Sequence, residues 1–281
     1  MSHIHWYPGH IAKAEKQLKE QINLVDVVIE ILDARIPWSS RYPNIETLVG
    51  TKPRLILLNK ADTCDLTLTK QWQEKIKKET GYPVLLTCAH NFKDINLIVS
   101  KAIELSEPAI QKLMAKGLLR RPARAMIVGM PNVGKSSIIN KLIKKQKTKT
   151  GAKAGVTRQQ QWVRINPKLD FLDTPGIIPL KLDDQIKATK LAFVSGVSEN
   201  AYDAKEVAQD LLNILQSMYK EQILQYYGLN NEITLEEIAK NRNWLLKGDE
   251  PDTLRAATYV LSDFRNSRIG QFTLDDINAS I

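Results

Sequence analysis

The sequence predicts an α/β fold, a mostly parallel sheet with helices on both faces, followed by a small α-helical C-terminal domain. Three observations predict it. Apolar runs, the first of them rich in β-branched residues, recur at 27–32, 54–58, 83–86 and 125–128, with helical patterns between the earlier ones, as expected of a buried parallel sheet. A glycine-bearing loop, Gly129-Met130-Pro131-Asn132-Val133-Gly134-Lys135-Ser136, joins the last of these strands to a helical pattern through Ile138, Ile139 and Leu142. Beyond residue 198 no strand-like alternation occurs before the last few residues, and apolar residues fall at helical spacing. The first domain is expected over 1–182 and the second over 183–281.

The bulk properties bound the function. The chain has 281 residues, 43% hydrophobic and 25% charged, which suits a soluble globular protein. No apolar run approaches the roughly 20 residues of a membrane helix, and the N-terminus lacks a signal-peptide layout. Cys64 and Cys88 form no CxxC pair, so neither a disulfide nor a cysteine zinc site is expected. A cytoplasmic protein without membrane partners is the expectation. The net charge is +9, and between Glu107 and Asp170 there are fifteen lysines and arginines and no acid. Such a run suits polyanions, nucleotide phosphates first and RNA next; a solvated lysine-rich surface is the plainer alternative.

In chain order, Ile11, Leu18, Ile22 and Val25 form a helical stripe after the turn-like Trp6-Tyr7-Pro8-Gly9-His10. The strand at 27–32 ends in Asp33-Ala34-Arg35, and the strand at 54–58 delivers Asn59-Lys60-Ala61-Asp62. A carboxylate at Asp62 can accept both N1–H and the 2-amino group of guanine, a pattern adenine does not offer. Asn59 can bond the purine N7 or O6 edge while the Lys60 stem covers the base. Alone such a tetrapeptide is an ordinary charged loop; beside a phosphate loop it reads as a base reader. A helix through Trp72 and Ile76 closes at Gly81, a C-cap. The strand at 83–86 ends at Thr87-Cys88-Ala89, where the Cys88 and Ala89 amides can approach a guanine carbonyl. A helix through Ile95, Ile98, Val99, Ala102 and Leu105 follows, and 108–122 reads as a basic linker.

The glycine-bearing loop has the strand, loop and helix context of a P-loop. Amides around Val133, Gly134 and Ser137 can wrap a phosphate at a helix N-terminus. Lys135 reaches the β/γ oxygens and Ser136 holds Mg²⁺; the alternative is a glycine-rich turn with no ligand. Residues 149–157 read as a mobile loop, with Thr157 a second Mg²⁺ ligand. Strands at 161–165 and 169–172 lead to Asp173-Thr174-Pro175-Gly176, which sets a carboxylate near Mg²⁺, through water, and the Gly176 N–H near the γ-phosphate. In the C-terminal part Val207, Leu211, Leu215 and Met218 share one helix face that closes before Gly228. Thr234-Leu235-Glu236-Glu237 is a capping box, and Leu254, Ala257, Leu261 and Phe264 stripe another helix. These stripes read as that domain's own core.

In the usual guanine-nucleotide switch the phosphate loop precedes the N-K-x-D string. Here Asn59–Asp62 come first, then Gly129–Ser136, Thr157 and Asp173–Gly176: a circular permutation of the same parts. With Trp6 to Ala14, Asp33-Ala34-Arg35-Ile36-Pro37, Gly155-Val156-Thr157 and Gln160-Gln161-Trp162, the chain resembles the circularly permuted P-loop GTPases, most closely their bacterial ribosome-biogenesis members. The resemblance implies GTP and GDP as substrate and product, Mg²⁺, and slow hydrolysis stimulated by ribosomal particles. It further implies late maturation of the large ribosomal subunit, through rRNA and ribosomal proteins; a monomer is the expectation. It makes K⁺ an activator with Asn132 its side-chain ligand. The position after Gly176, a water-orienting glutamine in many switches, is Ile177, which cannot hydrogen-bond water; the resemblance assigns that duty to His10. From the residues alone His10 reads first as a helix-start cap. Metal binding by His3, His5 and His10 is not expected, since no carboxylate or cysteine joins them at ligand spacing. The stretch Ile177-Ile178-Pro179 departs from the family in lacking a tryptophan.

Two other classes remain. An RNA-binding placeholder with a structural nucleotide shares the basic run, and a permuted GTPase could serve another RNA particle. An ATPase would set the Asp62 carboxylate against the adenine N1 lone pair.

Overall fold

A computed structural model describes residue 4 and residues 11–147, 162–172, 176–177 and 184–278, with the backbone alone at 11–14, 144–147 and 176–177. His3, His5, His10, Thr157, Asp173 and Ile178-Pro179 lie outside the described residues, as does the expected domain boundary at 182/183.

One sheet organises the first half. It contains β1 (Val27–Asp33), β2 (Arg54–Asn59), β3 (Val84–Thr87), β4 (Ala123–Gly129), β5 (Trp162–Asn166) and β6 (Leu169–Leu172), with a two-residue β7 (Gly176–Ile177). The order is β3-β2-β1-β4-β6-β5, and β7 pairs with β4. Every pairing is parallel except β5 with β6. β1 and β2 are buried at every residue, which explains why their apolar runs are continuous rather than alternating.

Parallel pairing puts the C-terminal strand ends on one edge, where open α/β sheets bind ligands. Register fixes what meets there. Asp33 pairs with Asn59, and Asn59 with Thr87; Glu30 pairs with Val128, one residue before Gly129. The base reader, the Asp33 motif and the phosphate loop therefore share one edge although up to about a hundred residues separate them in the chain.

The helices are α1 (Ile11–Asn23), α2 (Ile45–Val49), α3 (Leu66–Thr80), α4 (Phe92–Ala115), α5 (Lys135–Lys147), α6 (Gln185–Phe193), α7 (Ala204–Tyr227), α8 (Leu235–Asn241) and α9 (Thr253–Arg265). Capping follows the sequence. Asp65 accepts from Thr67 and Leu68 at the start of α3, and Gly81 ends it in the left-handed conformation. Thr234 caps α8 through the Glu237 N–H, and Gly228 closes α7. Each such N-cap is worth about 1 kcal/mol.

Three expectations need correction. The segment 108–122 is not a linker throughout: α4 continues through Pro108 to Ala115. Ser106 and Ile110 are buried and Leu113 packs on the same core. Burying a residue such as Ile110 contributes about 1.5–3 kcal/mol, comparable with the roughly 3 kcal/mol an interior proline costs. Met218 is exposed rather than packed with Leu215, because α7 kinks at Tyr219, whose φ/ψ is non-helical. Leu254 is also exposed, and the buried face of α9 runs through Ala256, Ala257, Val260, Leu261 and Phe264.

The core is continuous across both parts of the chain. One cluster joins Ile29, Ile127 and Val128 of the sheet to Phe193, Leu211, Phe264 and Phe272. Among the described residues no helix is long and apolar enough to cross a membrane.

Candidate active site

The site begins where β4 ends. Gly129 has φ 156°, and a Cβ there would stand 2.6 Å from the Ile31 carbonyl oxygen of β1. Gly134, at φ 100°, would drive a Cβ to 2.1 Å from Asn59 Nδ2. Both glycines are required by close backbone approach. Asn132, at φ 60°, takes the left-handed conformation that asparagine tolerates. Lys135 then opens α5, with Ser136 and Ser137 exposed on its first turn. These are the positions expected to face phosphate and Mg²⁺.

Lys135 is buried, and its ammonium donates to the carbonyls of Gly129 (2.9 Å) and Met130 (2.6 Å). Burial pulls its pKa down to about 8. Holding this cation with no counter-charge among the described residues costs about 3 kcal/mol at neutral pH, a cost an anion seated in the loop removes. The sign follows from the depressed value. The unfolded lysine titrates near 10.4, so between about 8 and 10 the nucleotide-free fold binds fewer protons and gains stability as pH rises. Phosphate drives the pKa back up. GDP binding is therefore expected to take up nearly one proton at pH 9 and almost none at pH 7, read by calorimetry in buffers of different ionisation enthalpy. Equal uptake at both values would contradict this placement of Lys135.

The base-reading loop is fastened directly to the phosphate loop. Asn59 Nδ2 donates to the Val133 carbonyl (2.8 Å), and Lys60 Nζ to the Asn132 carbonyl (2.8 Å). Lys60 is aimed by Asp33, whose Oδ2 it meets at 2.8 Å. The Asp33 carboxylate also takes Arg35 Nε (2.9 Å) and Nη2 (2.8 Å). Burial alone would raise the Asp33 pKa; the Arg35 and Lys60 cations outweigh it and hold the carboxyl well below the usual range. For Lys60, burial outweighs Asp33 and lowers the pKa.

Beside this junction two buried oxygens have no hydrogen-bond partner among the described residues, Asn59 Oδ1 and Thr87 Oγ1. They lie on residues paired in register. An unmet buried acceptor costs about 1–3 kcal/mol, which a ligand or water at this edge relieves. Asp62 is exposed, as a group meeting a base must be before binding. The Cys88 thiol lies against it: burial first, then the Asp62 carboxylate, push the thiol pKa up. The Cys88 N–H, however, is donated to Asp94 (2.8 Å). Of the two backbone donors expected there, Ala89 then carries the approach to a base carbonyl alone. Gly176 pairs with Val128, and Ile177 with Gly129, so the D-x-x-G end lies along the strand that feeds the phosphate loop.

The Asn132 side chain donates to the Ser195 carbonyl, in the turn between α6 and α7. This contact, and the aim of Asp33 on Lys60, were not read from the sequence. A carboxylate one level across the sheet from Asn59 was the available signal for the second.

Known proteins resemble the chain closely. The family model described as a 50S ribosome-binding GTPase matches residues 124–240. A protein named Ribosome biogenesis GTPase A, from Priestia megaterium, is 42% identical over 97% of this chain and 96% of its own length. The crystal structure of GNP-bound YlqF from T. maritima matches with a TM-score of 0.64 at 27% identity, covering 95% of this chain and 100% of that one. A GDP-bound structure of TM YlqF matches with a TM-score of 0.64 at 28% identity, over 92% and 98%. Motif order, site geometry and near-full-length similarity agree: the chain is a GTPase of the ribosome biogenesis GTPase A family.

Proposed function

We propose that this GTPase of ribosome biogenesis acts on the large ribosomal subunit late in its maturation, as a cytoplasmic monomer, and that ribosomal particles stimulate its hydrolysis of GTP. The observation that supports the nucleotide-binding part of the reading is the double fastening of the base reader to the phosphate loop, Asn59 to Val133 and Lys60 to Asn132. It makes one rigid cradle for base and phosphates. The relatives' names and the family description support the ribosomal part.

In this reading Asp62 takes the guanine N1–H and 2-amino protons, Asn59 and Ala89 meet the remaining base edge, and Cys88 lines it. The amides of Asn132, Val133, Gly134 and Ser137 surround the β-phosphate, and Lys135 bridges the β/γ oxygens. Ser136, Thr157 and Asp173 would supply oxygen donors for Mg²⁺, a hard cation that suits them, and it would neutralise charge developing on the phosphates. Gly176 holds the γ-phosphate through its N–H. The Asn132 side-chain oxygen would suit K⁺, its Nδ2 being the atom that donates to the Ser195 carbonyl. Water attacks the γ-phosphorus, the bond to the β-bridging oxygen breaks, and GDP and phosphate leave. His10 orients that water, since Ile177 cannot.

Hydrolysis rates with and without isolated large subunits test the mechanism. Subunits are expected to accelerate the parent protein, and His10→Ala is expected to lose about 10²-fold of the stimulated rate while keeping GDP affinity. Full stimulation in His10→Ala would remove His10 from the mechanism.

A further inference from the structure

The chain after α9 returns across the molecule and lies along the base-reading loop. It forms no helix or strand, yet its contacts run in register. The Gln271 side-chain amide donates to the Asp62 carbonyl (2.8 Å), the Phe272 N–H to the Thr63 carbonyl (3.4 Å), and the Thr273 hydroxyl, 2.7 Å from the Thr69 hydroxyl, lies 3.3 Å from the Asp65 carbonyl. Three consecutive residues thus meet three carbonyls of residues 62–65. The inner side of the same loop is held separately, by the Ala61 N–H on the Thr87 carbonyl (3.1 Å) and the Thr63 hydroxyl on the Lys60 carbonyl (2.8 Å).

The segment is itself firmly anchored. Phe272, Thr273, Leu274 and Asp275 are buried. The Leu274 N–H donates to the Arg35 carbonyl (2.8 Å). The Asp275 carboxylate receives the Trp38 and Ser39 amides, the Ser39 hydroxyl and the Lys190 ammonium, at 2.6–2.9 Å. The Trp72 indole donates to the Asp275 carbonyl (3.2 Å). At the α7 kink the Tyr219 hydroxyl meets the Thr273 backbone and the Asp65 carboxylate. Irregular backbone buried this thoroughly needs such partners, and here most of them belong to the loops around the base site.

We infer that residues 271–275 are a strap that positions the guanine reader: by holding the outer carbonyls of 62–65 they keep the exposed Asp62 carboxylate aimed at the base. The inference rests on the base-reading role of Asp62 proposed above. A bidentate contact tolerates little displacement, so a supporting layer decides whether it forms at full strength. The effect is reciprocal: a nucleotide that tightens the loop tightens the strap, which links the site to α7 and α9.

The test uses the full-length chain and fluorescent GDP and IDP, the latter lacking the 2-amino group that Asp62 accepts. Gln271→Ala/Thr273→Val is expected to narrow the preference for GDP over IDP by about 3- to 10-fold, chiefly through weaker GDP binding, and Gln271→Ala/Thr273→Ser to restore part of it. A general loss of structure would weaken both nucleotides alike and leave the ratio unchanged, which overturns the proposal. Asp62→Asn is the control. If it abolishes the preference while the strap variant, folded by its melting curve, keeps the parent ratio, the strap fails and the base reader stands. If Asp62→Asn leaves the preference intact, the base reading fails and the strap with it. Should the strap variant not fold, amide exchange in the unaltered chain decides. GDP is expected to slow exchange at Phe272 and Leu274 several-fold, and unchanged rates there overturn the proposal.

Discussion

An Asp62→Asn protein is expected to bind GDP about 10²- to 10⁴-fold more weakly than the parent and to gain affinity for xanthosine diphosphate. Hydrogen bonds to a charged partner contribute about 1.5–3 kcal/mol each, and the carboxylate accepts two of them side by side. Asparagine presents one acceptor and one donor in the same plane, so it keeps the N1–H contact and sets its own N–H against the guanine 2-amino group. Xanthine carries a carbonyl at that position and accepts the new donor. The effect belongs to the base alone. Lys135, Gly134 and the Asn59–Val133 bond are untouched, so the phosphate end should bind as before. Equilibrium binding of the two diphosphates measures the exchange, and GDP affinity within threefold of the parent would take Asp62 out of base recognition.

Asp33→Ala is expected to destabilise the protein by about 3–5 kcal/mol, the cost of removing one partner from a buried ion pair. Asp33 is fully buried and Arg35 nearly so, with Lys60 partly exposed on the same carboxylate. Without it the Arg35 guanidinium keeps the Arg265 carbonyl at 3.4 Å and the Phe264 ring as neighbours, neither of which balances its charge. For a chain of this length the loss lowers the melting temperature by about 5–10 °C. Function should suffer as well, because Lys60 loses the carboxylate that aims it at the Asn132 carbonyl. Nucleotide affinity should then fall even well below the melting point. Asp33→Asn retains an acceptor without the charge and should lie between the two. A melting temperature within a degree of the parent would show that Arg35 and Lys60 find other partners.

Much of the sheet and its loops was legible because the signals are local. Continuous apolar runs marked β1, β2 and β4, and Gly81 and Gly228 marked helix ends by the conformation they take. The N-K-x-D string and the glycine loop were legible as motifs, and their order revealed the permutation. The extension of α4 through Pro108 was not, since a proline outweighs its neighbours in any local reading and the burial of Ile110 is a tertiary fact. The exposure of Met218 depends on a kink at Tyr219, whose hydroxyl reaches the strap. The Asp62, Thr63 and Asp65 carbonyls held by 271–273, and the Ser195 carbonyl that meets Asn132, were invisible for a common reason. Every residue has a carbonyl, so no residue type announces which one will be used.

From the proposed action on the large ribosomal subunit we infer that GTP favours the bound state and that hydrolysis releases the chain. Co-sedimentation of the purified chain with isolated large and small subunits tests it directly, in parallel with GDP and with a non-hydrolysable GTP analogue. The chain is expected to pellet with large subunits in the presence of the analogue, to be largely released with GDP, and to stay in the supernatant with small subunits. Equal pelleting with both nucleotides would contradict the account and favour an RNA-binding placeholder whose nucleotide is structural.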